Sequence, residues 1–365
     1  MKTNTHHQVA FFTRMLIVLI PVFVLITFSG CDKDPGEQKK DKSQFLEPYG
    51  VFVINEGQFM SGNGDISFYD KRRKSVQNNL FFSINNRPPG DIPQSLSFYK
   101  EEIWLVVNNS NTIEVVGLND FSSVGTIEDL AMPRQMILHG NYGYVSQLGS
   151  GDIARIDLAA RKVIGSLPGE KSTDHLLIAG GRLFAANWTS FYIDKPNNTV
   201  MVYDLSSGSF VDSVMVAKEP NSMVLDADGR VWVLSSGGFM GEEFPALTCF
   251  DPNTLQVIRT FEFPDKAMNP ALLTVSPDGR TLYFVNDDVF AMGVDDQVLP
   301  QSPFISSGGS FIYGMASDPE NGDIYLTDPI DFQQDGRVFR YSDSGLPIDT
   351  FRVGINPAGV YFYQP

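Results

Sequence analysis

Residues 220–235 read PNSMVLDADGRVWVLS, and this short stretch decides the fold. Two apolar runs, SMVL and VWVL, are rich in β-branched and aromatic residues and therefore predict strands. The DADG between them supplies the Asp-Gly chemistry of a tight hairpin turn. The stretch therefore predicts two antiparallel strands joined by a short turn.

The second strand of this hairpin is one copy of a pattern that recurs along the chain. Each copy begins with an aromatic residue and has a polar residue three positions further on, as in WVLS. Seven copies follow one another at spacings of roughly 40 to 52 residues, the range typical of repeat architectures. Their first residues are Phe52, Trp104, Tyr144, Phe184, Trp232, Tyr283 and Tyr325, and the copy at Trp104 has its polar residue one place late.

Each copy is accompanied by further strand patterns, which together make a unit of about 44 residues. A strand that ends in a hairpin turn precedes the copy, a third strand such as TVMVYDL follows it, and a fourth such as KVIGSL follows in most units. Four antiparallel strands in each unit predict the blade of a β-propeller. A pair of β-sandwiches is the alternative, but it requires a linker near the middle of the chain, and none is visible.

The two ends of the repeat region predict how the ring closes. GVFVINE, at residues 50–56, begins the first unit without an innermost strand, whereas NPAGVYFY, at residues 356–363, ends the chain with the innermost-strand pattern. The C-terminal strand is therefore expected to pair into the first blade and to remove the open edges of the ring. The fold prediction is all-β, a single seven-bladed β-propeller over residues 49–365.

The N-terminus has the features of a lipoprotein signal peptide, assigned to residues 1–30. The apolar run MLIVLIPVFVLITF follows the basic residues Lys2 and Arg14 and leads to small residues before Cys31. FSGC resembles a lipobox, in which the cysteine carries the lipid, although Phe28 stands where leucine is usual. An ordinary signal peptide with an unused cysteine is the alternative.

The segment after the signal peptide, residues 31–48, is charged and poor in apolar residues, so it predicts a disordered tether that begins at a lipidated Cys31. Its acidic residues resemble the surface-export signal of Bacteroidota lipoproteins. The expected location is the outer membrane, with a lipid anchor and exposure at the cell surface.

The formal net charge of the chain is −16 at pH 7, and its longest basic run is the four residues KRRK at 71–74. An acidic chain of this kind argues against nucleic acid as a partner. The second cysteine, Cys249, stands alone on a predicted strand and is interpreted as a residue of the core.

The strands of a blade, labelled A to D from the channel outward, alternate in direction, so the B–C and D–A connections emerge on one face. The A–B and C–D turns are short, but four of the seven B–C loops are long. All four long loops carry aromatic residues, namely Phe59, Trp188, Phe191, Tyr192, Phe239, Phe244 and Phe332. These rings are predicted to form two walls at the channel mouth. Packing of each ring against its own blade is the alternative.

The same face is predicted to carry polar residues nearer the axis. Most of them belong to the D–A connections, and one belongs to a short B–C loop. The polar residues chosen as ligand-binding candidates are Arg87, Gln94, Asn109, Arg134, His175 and Asn221. Apolar walls with a few convergent polar groups are the usual composition of a small-molecule site.

No catalytic constellation is recognisable in the sequence. GxSxG, P-loop and strand-associated GxGxxG motifs are missing, and beyond Cys31 the only histidines are His139 and His175. No Cys/His cluster offers ligands for zinc, haem or an iron–sulfur cluster. The protein is therefore expected to be no enzyme and to use no cofactor or metal. A weaker alternative is a divalent ion near the mouth, held by Asp91, Asp174, Asp287, Asp328 and Asp331.

Several segments resemble the YncE-like propeller lipoproteins of Bacteroidota, among them VFVINEGQFMSGNGDISFYD and VFRYSDSGLPIDTFRVGINPAGVYF. The N-E-G-x-F start and the R-P-x-G-D-x-x-Q-S connection are the more distinctive parts, and the likeness covers about residues 49–363. Some members are similar to the surface vitamin B12-capture lipoproteins, which hand cobalamin to a TonB-dependent outer-membrane transporter. The resemblance implies a lipid-anchored binding protein whose partners are a nutrient, with a corrinoid as the candidate, and such a transporter.

Three functions are thus compared from the sequence. The leading hypothesis is a surface lipoprotein that binds a nutrient on the B–C/D–A face and assists a transporter. A protein-interaction platform is the alternative, because aromatic side chains also suit protein interfaces. An enzyme of the lactonase or quinoprotein type comes last, because a fold that hosts such chemistry is no evidence for it.

Overall fold

The computed structural model describes residues 50–364, which form seven antiparallel β-sheets. The innermost strands of successive sheets contact one another all the way round, and the last of them contacts the first. The predicted seven-bladed β-propeller is therefore confirmed.

The first three blades contain the following strands, given from the channel outward. Blade 1 has β27 (Pro357–Phe362), β1 (Gly50–Asn55), β2 (Asp65–Asp70) and β3 (Ser75–Gln77). Blade 2 has β4 (Pro93–Tyr99), β5 (Glu102–Val107), β6 (Thr112–Gly117) and β7 (Ser123–Ile127). Blade 3 has β8 (Pro133–His139), β9 (Tyr142–Gln147), β10 (Ile153–Asp157) and β11 (Lys162–Leu167).

The remaining four blades follow in chain order. Blade 4 has β12 (Leu176–Ala179), β13 (Arg182–Ala186), β14 (Thr199–Asp204) and β15 (Ser209–Met215). Blade 5 has β16 (Pro220–Leu225), β17 (Val231–Ser235), β18 (Ala246–Phe250) and β19 (Val257–Glu262). Blade 6 has β20 (Ala271–Val275), β21 (Thr281–Asn286) and β22 (Asp288–Gly293). Blade 7 has β23 (Gly314–Ser317), β24 (Ile324–Asp328), β25 (Asp335–Tyr341) and β26 (Pro347–Ile355).

Blade 6 differs from the other six because its sheet has three strands. The position of its fourth strand is taken by an irregular segment that touches β22 through one bridge, between Val289 and Ile305. The amide of Val289 donates to the carbonyl of Ile305 at 3.0 Å, and the amide of Phe304 donates back to Val289 at 2.8 Å. This outcome agrees with the sequence, in which a fourth-strand pattern accompanies most units rather than all.

Apolar side chains of neighbouring blades form shared cores between the sheets. Strand β1 shows the principle, because successive side chains of a strand point to opposite faces. Phe52 and Ile54 pack with residues of blade 2 such as Leu105, whereas Val51 and Val53 pack with residues of blade 7. Both faces of the strand are therefore buried, which explains its continuous apolar sequence.

The ring is closed by hydrogen bonds between the two ends of the described chain. Strand β27 pairs antiparallel with β1, with Val360 opposite Val53. Beyond the ladder, the amide of Glu56 donates to the carbonyl of Asn356 at 2.9 Å. The side chain of Asn356 donates to the carbonyl of Gly57 at 2.6 Å, across 299 positions of sequence. The predicted closure by the C-terminal strand is confirmed.

A six-residue helix, α1 (Leu80–Asn85), follows β3 and was not expected from the sequence. The carboxylate of Asp65 accepts hydrogen bonds from the amides of Phe81 and Phe82 at 2.8 and 3.0 Å, so it satisfies the free amides of the first turn. Within residues 50–364, no helix has the length and apolar character needed to span a membrane.

The signal peptide, the lipidation of Cys31 and the tether over residues 31–48 all lie outside the described residues. These three assignments therefore remain predictions.

Removal of residues 356–365 is expected to abolish the cooperative unfolding of the protein. Blade 1 would lose its innermost strand together with the burial of Val360, Tyr361 and Phe362, which contributes about 5 kcal/mol. Thermal unfolding followed by circular dichroism measures the effect. Removal of residues 364–365 alone is the matched control and should leave the melting temperature unchanged. A longer truncation that melts like the parent would show that closure is dispensable.

Candidate ligand-binding site at the loop face

The four long B–C loops lie at one end of the ring, because the second strand of every blade runs in the same direction along the axis and therefore ends on the same face. They connect β1 to β2, β13 to β14, β17 to β18 and β24 to β25. Their most exposed aromatic residues are Phe59, Phe191 and Phe239, with 68, 85 and 88% of the residue surface accessible. The alternative that each ring packs against its own blade is therefore wrong for these three residues. They extend into solvent from blades 1, 4 and 5.

Phe332 behaves differently from these three rings. It packs against Phe311 and Tyr313, with ring centroids 5.7 and 5.5 Å apart. All three residues belong to blade 7 or to the segment leading into it. Phe332 is therefore part of a small aromatic cluster and does not project freely from its loop. Tyr192 likewise contacts Phe191 edge to face at 5.2 Å within its own loop.

Trp188 links its loop in blade 4 to the polar groups nearer the axis. It is half-buried, and the guanidinium of Arg134 lies 5.5 Å from the centre of its ring. Such a cation–π contact fixes the ring and the cation relative to each other. Two of the residues that the sequence assigned to the mouth are therefore in direct contact.

Five polar residues from five consecutive blades form a continuous chain of hydrogen bonds, here called the polar belt. In ring order the belt consists of Tyr313, Glu56, Gln94, Arg134 and Asp174, which belong to or lead into blades 7, 1, 2, 3 and 4. The Tyr313 hydroxyl donates to Glu56 Oε2 at 2.7 Å, and Gln94 Nε2 donates to Glu56 Oε1 at 2.8 Å. Arg134 donates from Nη1 to Gln94 Oε1, and from Nε and Nη2 to Asp174 at 3.1 and 3.2 Å.

The electrostatics of the polar belt follow from burial. Burial raises the pKa of the Glu56 carboxyl above its ordinary value, and the hydrogen bonds from Tyr313 and Gln94 together with nearby Arg134 offset only part of this. For Arg134, burial lowers the pKa, but the adjacent Asp174 and then Glu56 outweigh it, so the pKa is raised. The ion pair of Arg134 and Asp174 is thus kept, while the proton on Glu56 is held more tightly than on a free glutamate.

The structure places Arg87 away from the mouth, contrary to the prediction. Its guanidinium makes a bidentate pair with Glu114, at 3.1 and 2.8 Å, and donates to the hydroxyl of Ser123 at 3.1 Å. Glu114 and Ser123 lie on β6 and β7, the two outer strands of blade 2. Arg87 therefore connects the segment between α1 and β4 to the outer strands of blade 2, away from the axis.

Asn109 and Asn221 are placed at the face but are engaged in holding it together. Asn109 donates to Asp91, which in turn accepts from the amides of Met60 and Gly62 at 2.9 and 3.3 Å. This pair anchors the long loop that carries Phe59. Asn221 donates to the carbonyl of Pro270 at 2.9 Å, so it joins blades 5 and 6.

His175 lies beside the polar belt, directly after Asp174 and before β12. Its Nδ1 atom is buried and has no hydrogen-bond partner among residues 50–364. Burial lowers the pKa of the imidazole below its ordinary value of 6.5, although the adjacent Asp174 raises it in part. His175 is therefore neutral at pH 7.

Two members of the polar belt, Glu56 and Tyr313, were missed by the sequence reasoning. Glu56 directly follows β1, at the start of a B–C loop, and Tyr313 directly precedes β23, at the end of a D–A connection. Both positions belong to the face already chosen. Their position in the sequence indicated the face but not their pairing, because the two residues meet only across blades 1 and 7.

The suggestion of a divalent ion near the mouth finds no support in the placement of the carboxylates. Across the described part of the chain, no group of three or more metal-ligating side chains converges. Asp91 and Asp174 have the partners given above, and Asp328 pairs with Arg337 at 2.9 Å. Asp331 accepts from the amides of Gln333 and Gln334 in its own turn.

The chain belongs to the family described as "Domain of unknown function (DUF5074)", whose model matches residues 49–336. No curated protein matches the sequence. The family description names no activity. Together with the fold, it defines the class of the protein as a β-propeller whose family has no described function.

Three solved structures illustrate the fold shared with other proteins. One is a quinoprotein alcohol dehydrogenase-like protein of Bacteroides thetaiotaomicron, 17% identical with a TM-score of 0.66, matching 87% of this chain and 78% of its own. A functionally unknown protein of Desulfotomaculum acetoxidans is 14% identical with a TM-score of 0.65, over 87% and 99% of the two chains. Hydrazine synthase of Kuenenia stuttgartiensis is 14% identical with a TM-score of 0.57, over 73% and 88%. At these identities the likeness concerns the fold alone.

Glu56→Ala is expected to destabilise the protein by about 1–3 kcal/mol, because Gln94 and Tyr313 would lose a buried acceptor. Glu56→Gln is the matched variant, since it keeps the shape and removes the titrating group. Because the pKa of Glu56 is raised in the folded protein, its contribution to stability is complete at low pH and is lost as the pH rises through that pKa. The stability of Glu56→Gln relative to the parent should therefore increase with pH. Urea unfolding of the three proteins between pH 4 and pH 8 tests this, and a difference independent of pH would contradict it.

Proposed function

We propose that the protein is a binding protein that captures an amphipathic small-molecule nutrient at the mouth formed by its B–C and D–A loops. The observation that carries this proposal is the pairing of two features at one face. Phe59, Phe191 and Phe239 project into solvent from blades 1, 4 and 5, and a buried polar belt joins blades 7, 1, 2, 3 and 4 at the same end of the ring. Apolar rings around a few fixed polar groups suit a ligand with both kinds of surface.

The exposed rings are costly unless they meet a ligand or a partner. Two methionines, Met60 and Met240, stand beside Phe59 and Phe239 and are 78 and 79% exposed, so each loop tip is apolar as a whole. Exposed apolar groups of this extent mark interaction sites in soluble proteins. The polar belt below them is rigid, because each member is held by its neighbours in the ring.

The resemblance to YncE-like lipoproteins refines the proposal. A lipid on Cys31 would hold the propeller at the outer membrane, and a TonB-dependent transporter would receive the captured nutrient. Cobalamin is the candidate ligand, since its flat macrocycle with peripheral amides presents the apolar and hydrogen-bonding surfaces that the loop rings and the belt would meet.

A binding role is preferred here to a catalytic one because the acid at the mouth is already engaged. Both oxygens of Glu56 accept hydrogen bonds within the belt, and the guanidinium of Arg134 is occupied by Gln94 and Asp174. These groups are arranged to hold one another in place. We therefore propose no reaction for this site.

A second candidate function is docking to a membrane protein without a small ligand. The apolar tips formed by Phe59 with Met60 and by Phe239 with Met240 favour it, because aromatic side chains and methionine are enriched at the centres of protein interfaces. The two functions differ in whether a small molecule binds the isolated propeller.

The double variant Phe191→Ala/Phe239→Ala is expected to weaken binding of cyanocobalamin at least tenfold, or about 1.4 kcal/mol, without lowering the melting temperature. The reason is that both rings are exposed, and the ring contact of Phe191 is with Tyr192 of its own loop, outside the blade cores. Isothermal titration calorimetry measures the affinity. Phe210→Ala/Ile258→Ala is the matched control, because it removes two exposed apolar side chains from the outer strands β15 and β19. Unchanged affinity in the first variant would reject the mouth as the binding site.

The outcome also separates the two candidate functions. Failure of the parent to bind cyanocobalamin would remove the corrinoid. Recovery of an outer-membrane transporter by the parent, lost in Phe191→Ala/Phe239→Ala and independent of any added ligand, would favour docking.

The lipid anchor has its own test. Cys31→Ala is expected to abolish incorporation of a labelled fatty acid and to release the protein from the membrane fraction, because the modified thiol is gone. Cys249→Ala is the control, since Cys249 is buried in the propeller. Labelling that persists in Cys31→Ala would contradict lipidation at this residue.

A further inference from the structure

The channel of the ring contains a cavity of about 560 Å³. Its walls are the innermost strands of blades 5, 6, 7 and 1, together with residues at the starts of those in blades 3 and 4. None of the five residues of the polar belt lines it. The cavity begins at the mouth, where His175 and Asn221 line it, and it extends along the axis toward the opposite face, as far as Ser317 and Gln364.

The lining of this cavity carries no charged side chain, although the chain as a whole is strongly acidic. Much of the wall is apolar, with Met223, Leu273, Met315 and Val360 among its residues. A charged molecule that lost hydration against these walls would gain no counter-ion from them, which is unfavourable. The cavity therefore discriminates against ions and favours an uncharged occupant.

Two polar groups at one end of the cavity have hydrogen-bonding capacity left over. Gln135 accepts a hydrogen bond from the amide of Leu176 through Oε1, and no acceptor among residues 50–364 pairs with its Nε2. The imidazole of His175, which also lines the cavity, is neutral and has its buried Nδ1 unpartnered within the described chain. A neutral imidazole provides one donor and one acceptor, and because Nδ1 is buried the ring can meet an occupant only through Nε2, beside the side-chain amide of Gln135.

The other polar groups at this end are already used. The Ser222 hydroxyl donates to Asn221 Oδ1 at 2.7 Å and accepts from the amide of Leu273 at 3.0 Å. Asn221 donates to Pro270, as described above. Gln135 and His175 are therefore the two side chains at this end of the cavity with hydrogen-bonding capacity left for an occupant.

We infer that the axial cavity is a second binding site, which takes a small uncharged molecule able both to donate and to accept hydrogen bonds, such as a primary amide, with Gln135 and His175 as the recognising residues. This site shares His175 and Asn221 with the mouth but requires none of the loop rings, and it goes beyond the capture proposed there. A volume of this size matches the range of small-molecule sites.

Nuclear magnetic resonance of the full chain labelled with ¹⁵N at histidine tests the inference. Acetamide and acetate are the probes, because they have the same shape and differ in charge. Acetamide is expected to shift the ring signals of His175 in a saturable manner, whereas acetate at the same concentrations should leave them unchanged. His139, which is exposed at the far end of β8, is the internal control and should respond to neither.

Two glutamines of blade 3 provide matched variants. Gln135→Met removes the recognising amide and should weaken the response to acetamide at least tenfold. Gln147→Met removes a glutamine that also accepts a backbone amide, from Ala131, but lies outside the cavity, so it should leave the response unchanged.

The outcomes decide the inference without reference to the mouth. The site is supported if the His175 ring signals shift saturably with acetamide but not with acetate. It is also supported if this shift is lost in Gln135→Met and kept in Gln147→Met. An equal shift with acetate, an equal response at His139, or no response to acetamide would overturn it. Should Gln135→Met fail to fold, the comparison of acetamide with acetate in the parent protein still decides. Binding of cyanocobalamin is measured separately, so failure of one site leaves the test of the other intact.

Discussion

The pairing of β27 with β1 is the interaction on which the rest of the structure depends. Without it, blade 1 has no innermost strand and blades 1 and 7 lose part of the core that they share through Val51, Val53 and Val360. Because the two strands come from opposite ends of the folded chain, their pairing requires closure of a loop of nearly the whole propeller, which is entropically unfavourable. The gain arises from a complete ring without free inner edges and with apolar cores between all its blades.

The same closure also determines the geometry of the candidate site. Glu56 follows β1 directly, and its amide is held by the carbonyl of Asn356 just before β27. The carboxylate of Glu56 is thereby fixed between Tyr313 of blade 7 and Gln94 of blade 2. Ring closure and the polar belt are thus one continuous set of hydrogen bonds. A rigid belt of this kind reduces the entropy lost when a ligand binds above it.

Much of the fold could be read from particular residues. The aromatic residues that begin the B strands, from Phe52 to Tyr325, gave the number of blades, because each unit must bury its B strand against both neighbours. NPAGVYFY gave the closure, since an innermost-strand pattern at the C-terminus has its missing counterpart only in the first unit. The four long B–C loops and their aromatic residues were also visible in the sequence, which left packing of each ring against its own blade as the alternative.

Side-chain pairing was the part that the sequence did not reveal. Arg87 and Arg134 stand in equivalent connections, yet the first pairs with Glu114 at the outer edge of blade 2 and the second enters the belt. The choice depends on which carboxylate each guanidinium reaches, and that distance is set by the twist and spacing of whole blades. Glu56 and Tyr313 were missed for the same reason, because they meet only after blades 1 and 7 have joined.

The sequence by itself determined the repeat, the number of blades, the closing strand and the face that carries the long loops, because these follow from local strand and turn patterns with a fixed period. Only the tertiary structure decided which polar residues share a hydrogen-bonded belt, which of them merely hold loops or blades together, and that an uncharged cavity runs along the axis. These features depend on contacts between residues of different blades, whose relative positions are fixed by the packing of the complete ring.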